Sequence, residues 1–251
     1  ARRQRQMCIR DSFIMTSTNS YPDGTRTGAW MDEAIEPYEI LRTAGIKVTL
    51  ASTKGGSVPY DPQSIADSKL QNLIESGKHW LKKKFTQDED KNSTPNWKQE
   101  FIEQAKNTLS LQDIDISNFD ALYLPGGHGT VFDFADNPEF ALLLAEAKEK
   151  GLWLASVCHG PAAYVGAKDK NGEYLVKGVT MTSFTDDEEK AVGQEKKVPF
   201  LLQTELEKQG ARFIAHPNFT DHVEVDGQFI SGQNPQSSIS VGKSLKEKLM
   251  G

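Results

Sequence analysis

The chain predicts an α/β fold in which a mostly parallel sheet is sandwiched by helices. Three observations predict it. Short apolar runs rich in β-branched residues alternate with segments of helical periodicity, the pattern of strand–helix–strand units. Strands end abruptly at glycine-rich turns, and in a doubly wound sheet such loops share one crevice. At 251 residues, with 37% hydrophobic and 25% charged residues, the composition is that of an ordinary globular α/β domain.

Taken in order, residues 1–12 are basic and polar with no apolar face, and lack the apolar core of a secretory signal. They read as a non-native or disordered extension, in which Cys8 has no function, ahead of a single domain over 13–251. Phe13 to Thr18 reads as the tail of a first core strand. Asn19 to Gly28 is a polar loop with Pro-Asp-Gly turn chemistry. Ala34, Ile35, Tyr38, Ile40 and Leu41 recur at helical spacing and stop at Gly45, a natural C-cap. Ile46 to Ala51 is a β-branched strand.

Ser68 to Asp115 interrupts the alternation. The segment is charged and helix-prone and reads as a helical insertion, a cap over the crevice, with Lys82-Lys83-Lys84 on a solvated face. Asp120 to Leu124 is a strand stopped by Pro125-Gly126-Gly127. Pro138 to Lys150 is an amphipathic helix ended by Gly151. The strand Leu152 to Val157 follows, then a strand near Val179 to Ser183 and a helix from Val198 to Gln209. Val223 to Val225 and Gln228 to Ile230 form a hairpin turning at Asp226-Gly227, and a last helix runs from about Ser237 to Leu249.

A net charge of -6 argues against nucleic acid or an acidic membrane surface as partner. No apolar stretch approaches the ~20 residues that span a bilayer. Two cysteines make no disulfide framework, which points to a reducing, cytoplasmic compartment. The histidines at 79, 128, 159, 216 and 222 show no metal-ligand spacing, so no structural metal is expected.

Chemistry is most plainly declared at Cys158. The apolar run Leu152 to Val157 ends at Cys158-His159-Gly160, and small helix-compatible residues follow. The spacing Ser156-x-Cys158-x-Gly160 has the logic of a nucleophile elbow, in which small neighbours let the chain turn tightly and present the central side chain. A helix starting there would aim its free N–H groups at the sulfur and favour thiolate. A merely buried cysteine would need neither the adjacent His nor the Gly.

Catalysis on a carbonyl also needs a proton shuttle and donors for oxyanion charge. Glu33, just after the first strand, lies near the elbow if the two strands are neighbours. A thiolate beside it would hold its carboxyl protonated. Gly127 and His128 lie in a Pro-Gly-Gly-His-Gly loop whose amides can approach a substrate oxygen, with His128 either touching substrate or capping the turn. The acidic run Asp186 to Glu189 could offer a carboxylate to His159, or simply start a helix.

The segments TGAWMDEAIEP (27–37), VTLASTKGG (48–56), FDALYLPGGHGT (119–130), SVCHGPAA (156–163), VKGVTMTSFTDDEE (176–189), VPFLLQTEL (198–206) and FISGQNPQSS (229–238) together resemble the PfpI-like superfamily. That resemblance implies a flavodoxin-like sandwich related to class I glutamine amidotransferases. The GGHG and CHGP forms and the inserted segment are most similar to the branch of heat-inducible chaperones and glutathione-independent glyoxalases (glyoxalase III). It implies Cys158 as nucleophile, His159 as its histidine, and Glu33 as the carboxyl that bonds the thiol and shuttles protons. It implies Glu189 as the partner of His159, with Glu188 and Asp186 close enough to compete, and Gly127 and the His159 N–H as oxyanion donors.

The implied reaction turns methylglyoxal into lactate through a Cys158 hemithioacetal, with no metal or organic cofactor, in a homodimer. The alternatives are a cysteine hydrolase or peptidase of the PfpI type, and a stress holdase chaperone or redox sensor. His216 and His222 lack the downstream His-x-Glu pair of glutamine amidotransferases, which excludes glutaminase chemistry.

Overall fold

A computed structural model describes residues 9–65 and 95–251. An eight-stranded sheet has the order β3-β4-β2-β1-β5-β6-β10-β9. The strands are β1 (Arg10–Met15), β2 (Lys47–Ser52), β3 (Lys54–Gly56), β4 (Thr108–Ser110), β5 (Ala121–Leu124), β6 (Trp153–Val157), β9 (Val223–Asp226) and β10 (Phe229–Gly232). The six from β4 to β10 are parallel, and the outermost pairs β3–β4 and β10–β9 are antiparallel. A separate ribbon pairs β7 (Thr180–Met181) with β8 (Arg212–Phe213). The strand expected near Val179 to Ser183 is therefore two residues long and outside the main sheet.

Central strands bury both faces, which is why they read as continuous apolar runs. On β5, Leu122 and Leu124 enter one core with Phe134 and Phe140, while Ala121 and Tyr123 enter the other with Phe13, Tyr38 and Phe101. Each such large side chain contributes about 1.5–3 kcal/mol. The helices are α1 (Met31–Thr43), α2 (Trp97–Gln104), α3 (Thr130–Asp133), α4 (Pro138–Glu149), α5 (Asp186–Ala191), α6 (Leu202–Lys208) and α7 (Ser238–Met250). Among the described residues no helix is long and apolar enough to cross a membrane.

Three expectations change. Strand β1 starts at Arg10, so part of the segment set aside as an extension is in the sheet, with Asp11 and Ser12 fully buried. Cys8 lies outside the described residues. Of the insertion expected over 68–115, residues 68–94 lie outside them too, including the three lysines. The described remainder is not all helical: α2 packs its Phe101 against Tyr38 of α1, and β4 joins the sheet beside β2. Finally, the elbow is followed by a single 3-10 turn, Gly160–Tyr164, rather than an α-helix. Pro161 suits a first helical turn, but Gly166 in the left-handed region at φ 80° turns the chain away soon after.

Candidate active site

Cys158 stands at the end of β6 with φ 58°, a left-handed conformation that costs a non-glycine residue energy and turns its side chain out of the strand. The turn fits only because its neighbours are small. A Cβ on Gly160 would sit 2.0 Å from the Leu124 carbonyl oxygen, and one on Gly126 would sit 2.6 Å from the His159 nitrogen. The ends of β5 and β6 are thus pressed together. Cys158 N–H donates to Gly232 O at 2.9 Å, and its carbonyl accepts from Phe184 N–H at 2.9 Å, which fixes the elbow on both sides.

Glu33 comes from the first turn of α1 and is fully buried. The strands carrying the two groups are not hydrogen-bonded neighbours, since β5 lies between β1 and β6. The carboxyl reaches the site over the glycine end of β5, where Oε2 accepts from Gly126 N–H at 2.7 Å. Its main chain is pinned by a second device. Pro37 inside α1 has no N–H to give the Glu33 carbonyl, and the Tyr123 hydroxyl donates to that oxygen instead, at 2.7 Å. Burial pushes Glu33 up to about 8, against the opposing hydrogen bonds from the Cys158 thiol and Gly126. The carboxyl is held neutral, and the dominant cause is burial rather than the like-charge repulsion expected from the sequence.

The thiol departs from expectation as well. Burial first, then the neighbouring Glu33, push Cys158 well above its ordinary value, so the elbow does not favour a resting thiolate. A short 3-10 turn supplies too little dipole to reverse this. His159 places Nδ1 3.3 Å from the Cys158 sulfur and Nε2 2.7 Å from Glu189 Oε2. Burial and the neighbouring His128 hold His159 below its usual range, against the pull of Glu189. For Glu189, burial alone would raise the pKa, but His159 and His128 outweigh it and hold the carboxylate well below the usual range.

The three acidic candidates beside His159 separate cleanly. Glu188 closes a capping box with Thr185 at the start of α5 and accepts from Phe219 N–H at 2.7 Å. Asp186 bonds the Thr204 hydroxyl. Only Glu189 faces the histidine. Its second oxygen accepts the other ring, His128 Nε2, at 2.6 Å. The two imidazoles lie 4.2 Å apart between centroids, sharing one carboxylate. Neither substrate contact nor turn capping, the two readings open for His128 in the sequence, includes this pairing. Each of His128, His159 and Glu189 offers a ligand atom, and these atoms lie within 4.8 Å of one another, a set able to hold a metal ion.

Gly127 takes φ 101°, and a Cβ there would meet the Gly28 carbonyl at 2.3 Å, so the loop can pass only as glycine. Gly127, His128, Cys158 and His159 open onto a cavity of about 420 Å³ among the described residues. Trp30, Tyr21, Phe184 and Phe219 line it with aromatic surface, and Arg26 and Lys197 add positive charge. These aromatic residues escaped sequence reasoning because nothing in their local pattern separates a pocket wall from a core position.

The sequence profile of the DJ-1/PfpI family matches residues 28–248. The chain belongs to the DJ-1/PfpI family. Within it, the chain is 31% identical to Glyoxalase 3 of Candida albicans over 93% of its own length and 95% of the relative's. It is 28% identical to the glutathione-independent glyoxalase HSP31 of Saccharomyces cerevisiae, covering 91% and 92% of the two chains. The crystal structure of Candida albicans glyoxalase III superposes with a TM-score of 0.78 at 28% identity, over 95% of this chain and 96% of that one. The flavodoxin-like architecture expected from the sequence is the one these DJ-1/PfpI relatives share.

Proposed function

We propose that this DJ-1/PfpI protein is a glutathione-independent glyoxalase that converts methylglyoxal and related small α-oxoaldehydes to 2-hydroxy acids. The single observation that carries the reading is that the Glu33 carboxyl and the Cys158 thiol are buried together at the elbow with His159 Nδ1 3.3 Å from the sulfur, and burial raises the pKa of both. The names of the relatives support the substrate class.

The chemistry balances with these groups and one water. The sulfur attacks the aldehyde carbon while its proton passes to His159 Nδ1, and Glu33 protonates the aldehyde oxygen, giving a hemithioacetal. Glu33 is now a carboxylate beside the former aldehyde C–H. It removes that proton as His159 protonates the ketone oxygen, which gives an enediol. Glu33 returns the proton to the second carbon while the hydroxyl proton on the first leaves to His159, and a thioester remains. Water adds its hydroxyl to the thioester carbonyl and gives its proton to Glu33, while His159 returns its proton to the departing sulfur; lactic acid leaves and ionises to lactate in solvent, and the thiol, neutral His159 and neutral Glu33 are restored. Glu189 holds His159 in place and stabilises its charged form. The Gly127 N–H has no protein acceptor among the described residues, and it and the His159 N–H serve the developing oxyanion.

A hydrolase would use the same thiol and histidine but has no task for a protonated Glu33. A redox sensor needs an exposed, low-pKa thiol, whereas Cys158 is buried with its pKa raised. The test is lactate formation from methylglyoxal without glutathione, in wild type and Cys158→Ala. Lactate that requires Cys158 supports the reading. Burst release from an activated ester without lactate would support the hydrolase instead.

A further inference from the structure

We propose that His128, His159 and Glu189 form a binding site for a divalent transition-metal cation, zinc above all, and that its occupancy silences the Cys158 site. Two imidazole nitrogens and a carboxylate oxygen are a donor set that zinc prefers, and three protein ligands with an open position are the pattern of exchangeable zinc sites. Both Nε2 atoms already converge on one carboxylate, at 2.6 and 2.7 Å. Those bonds meet different oxygens, Oε1 and Oε2, and one ligand atom from each residue lies within 4.8 Å of the others. Tetrahedral zinc at its usual bond lengths asks for ligand atoms about 3.3 Å apart, so a hydrogen-bonded pair spreads by less than about 1 Å and the widest pair closes by no more than about 1.5 Å.

The site is held from outside. Glu189 rides on α5, whose start is locked by the Thr185–Glu188 capping box. The His159 ring lies 4.6 Å from that of Phe184, with its Nδ1 against the Cys158 sulfur at 3.3 Å. Ligands oriented in this way lose little freedom on metal binding. His128 and His159 both line the cavity, which provides an entry path and room for a water as fourth ligand.

The consequence follows from the tautomer. Zinc takes the Nε2 lone pair, so the proton that His159 places on Nε2 toward Glu189 moves to Nδ1. No net proton is lost. Nδ1 then donates toward the sulfur and has no lone pair with which to receive the thiol proton. The metal therefore blocks the first step without touching sulfur.

The experiment is a titration of the full chain with Co²⁺ and Zn²⁺, followed by absorption spectra and by competition with a chelating indicator, for wild type, Cys158→Ser, His128→Phe and His128→Gln. The expected result is one tight equivalent in wild type and in Cys158→Ser, with visible Co²⁺ bands and no sulfur-to-cobalt charge-transfer band. Both His128 variants should bind at least about tenfold more weakly. His128→Gln retains a donor for Glu189, so its thermal melt separates a lost ligand from a lost fold. In wild type, Zn²⁺ should abolish turnover and a chelator should restore it. Binding lost in Cys158→Ser, or unchanged in a folded His128 variant, would overturn the proposal. So would the absence of a tight equivalent in wild type. The binding readouts do not depend on which substrate the enzyme takes; the loss of turnover rests on the proposed function.

Discussion

Strand β1 and the first turn of α1 each bury a carboxyl, Asp11 and Glu33, and burial pushes both up to about 8. Their surroundings differ. Glu33 receives the Gly126 N–H, faces the Cys158 thiol, and has its backbone pinned by Tyr123. Asp11 lies on the strand face of Phe13 and Met15, pairing in register with Val48 and Ala121, and among the described residues neither oxygen has a side-chain partner, with the Ser12 backbone opposing the effect of burial. A raised carboxyl pKa is therefore no mark of function by itself. What distinguishes Glu33 is a reactive neighbour at the mouth of a cavity.

The largest effect that would break this comparison is on catalysis. Glu33→Gln keeps the shape and an acceptor for Gly126 but cannot release or take a proton, and should lower kcat/KM for methylglyoxal by about 10²–10⁴-fold. Asp11→Val should leave kcat/KM within about twofold. Steady-state lactate assays on both variants check the pair. Gly126→Ala should resemble Glu33→Gln, since its Cβ would lie 2.6 Å from the His159 nitrogen and 2.8 Å from Glu33 Oε2.

Stability should invert the order. Asp11→Val replaces a buried carboxyl that has no side-chain partner among the described residues by an apolar side chain in an apolar setting, and should stabilise the fold by about 2–4 kcal/mol, read as a rise in denaturation midpoint. The pH dependence sharpens this. Both carboxyls ionise near pH 4 in the unfolded chain and at about 8 when folded. Their neutral forms contribute stability fully below about pH 4, and that contribution is lost as pH rises to about 8. Asp11→Val should flatten the fall in stability across this window, as followed by urea melts from pH 4 to 8. The activity profile should carry a descending limb near pH 8 from Glu33 that Asp11→Val does not move.

The smallest effect concerns the support of Glu33. Tyr123→Phe leaves the Glu33 carbonyl, already deprived of a helical donor by Pro37, without its hydrogen bond. It should cost about 1–3 kcal/mol in unfolding free energy, and less in kcat/KM than Glu33→Gln.

The contrast also marks what could be read from the sequence. The elbow was legible because its requirements are local: an apolar strand, a cysteine, and glycine where Leu124 approaches. Glu33 was legible through topology, since loops at the carboxyl ends of parallel strands converge even with β5 between them. Glu189 is preferred over Glu188 and Asp186 only by the family resemblance, because the residues alone do not show which of them the capping box and Thr204 engage. The pairing of His128 with Glu189 spans 61 residues and leaves no local trace. Strand β4 is three residues of Thr-Leu-Ser, too short to show a period. Asp11 and Ser12 fell in a segment read as an extension, because neither polar residue hints that it continues the core strand read from Phe13.

The central claim is that Glu33 supplies the moving proton for a Cys158 adduct, whereas Asp11 is a buried carboxyl and nothing more. The most direct measurement is lactate released from methylglyoxal in the absence of glutathione by wild type, Glu33→Gln and Asp11→Val, each shown to be folded. Lactate from wild type and Asp11→Val, with little or none from Glu33→Gln, is the predicted result. No lactate from wild type, or undiminished lactate from Glu33→Gln, would contradict it.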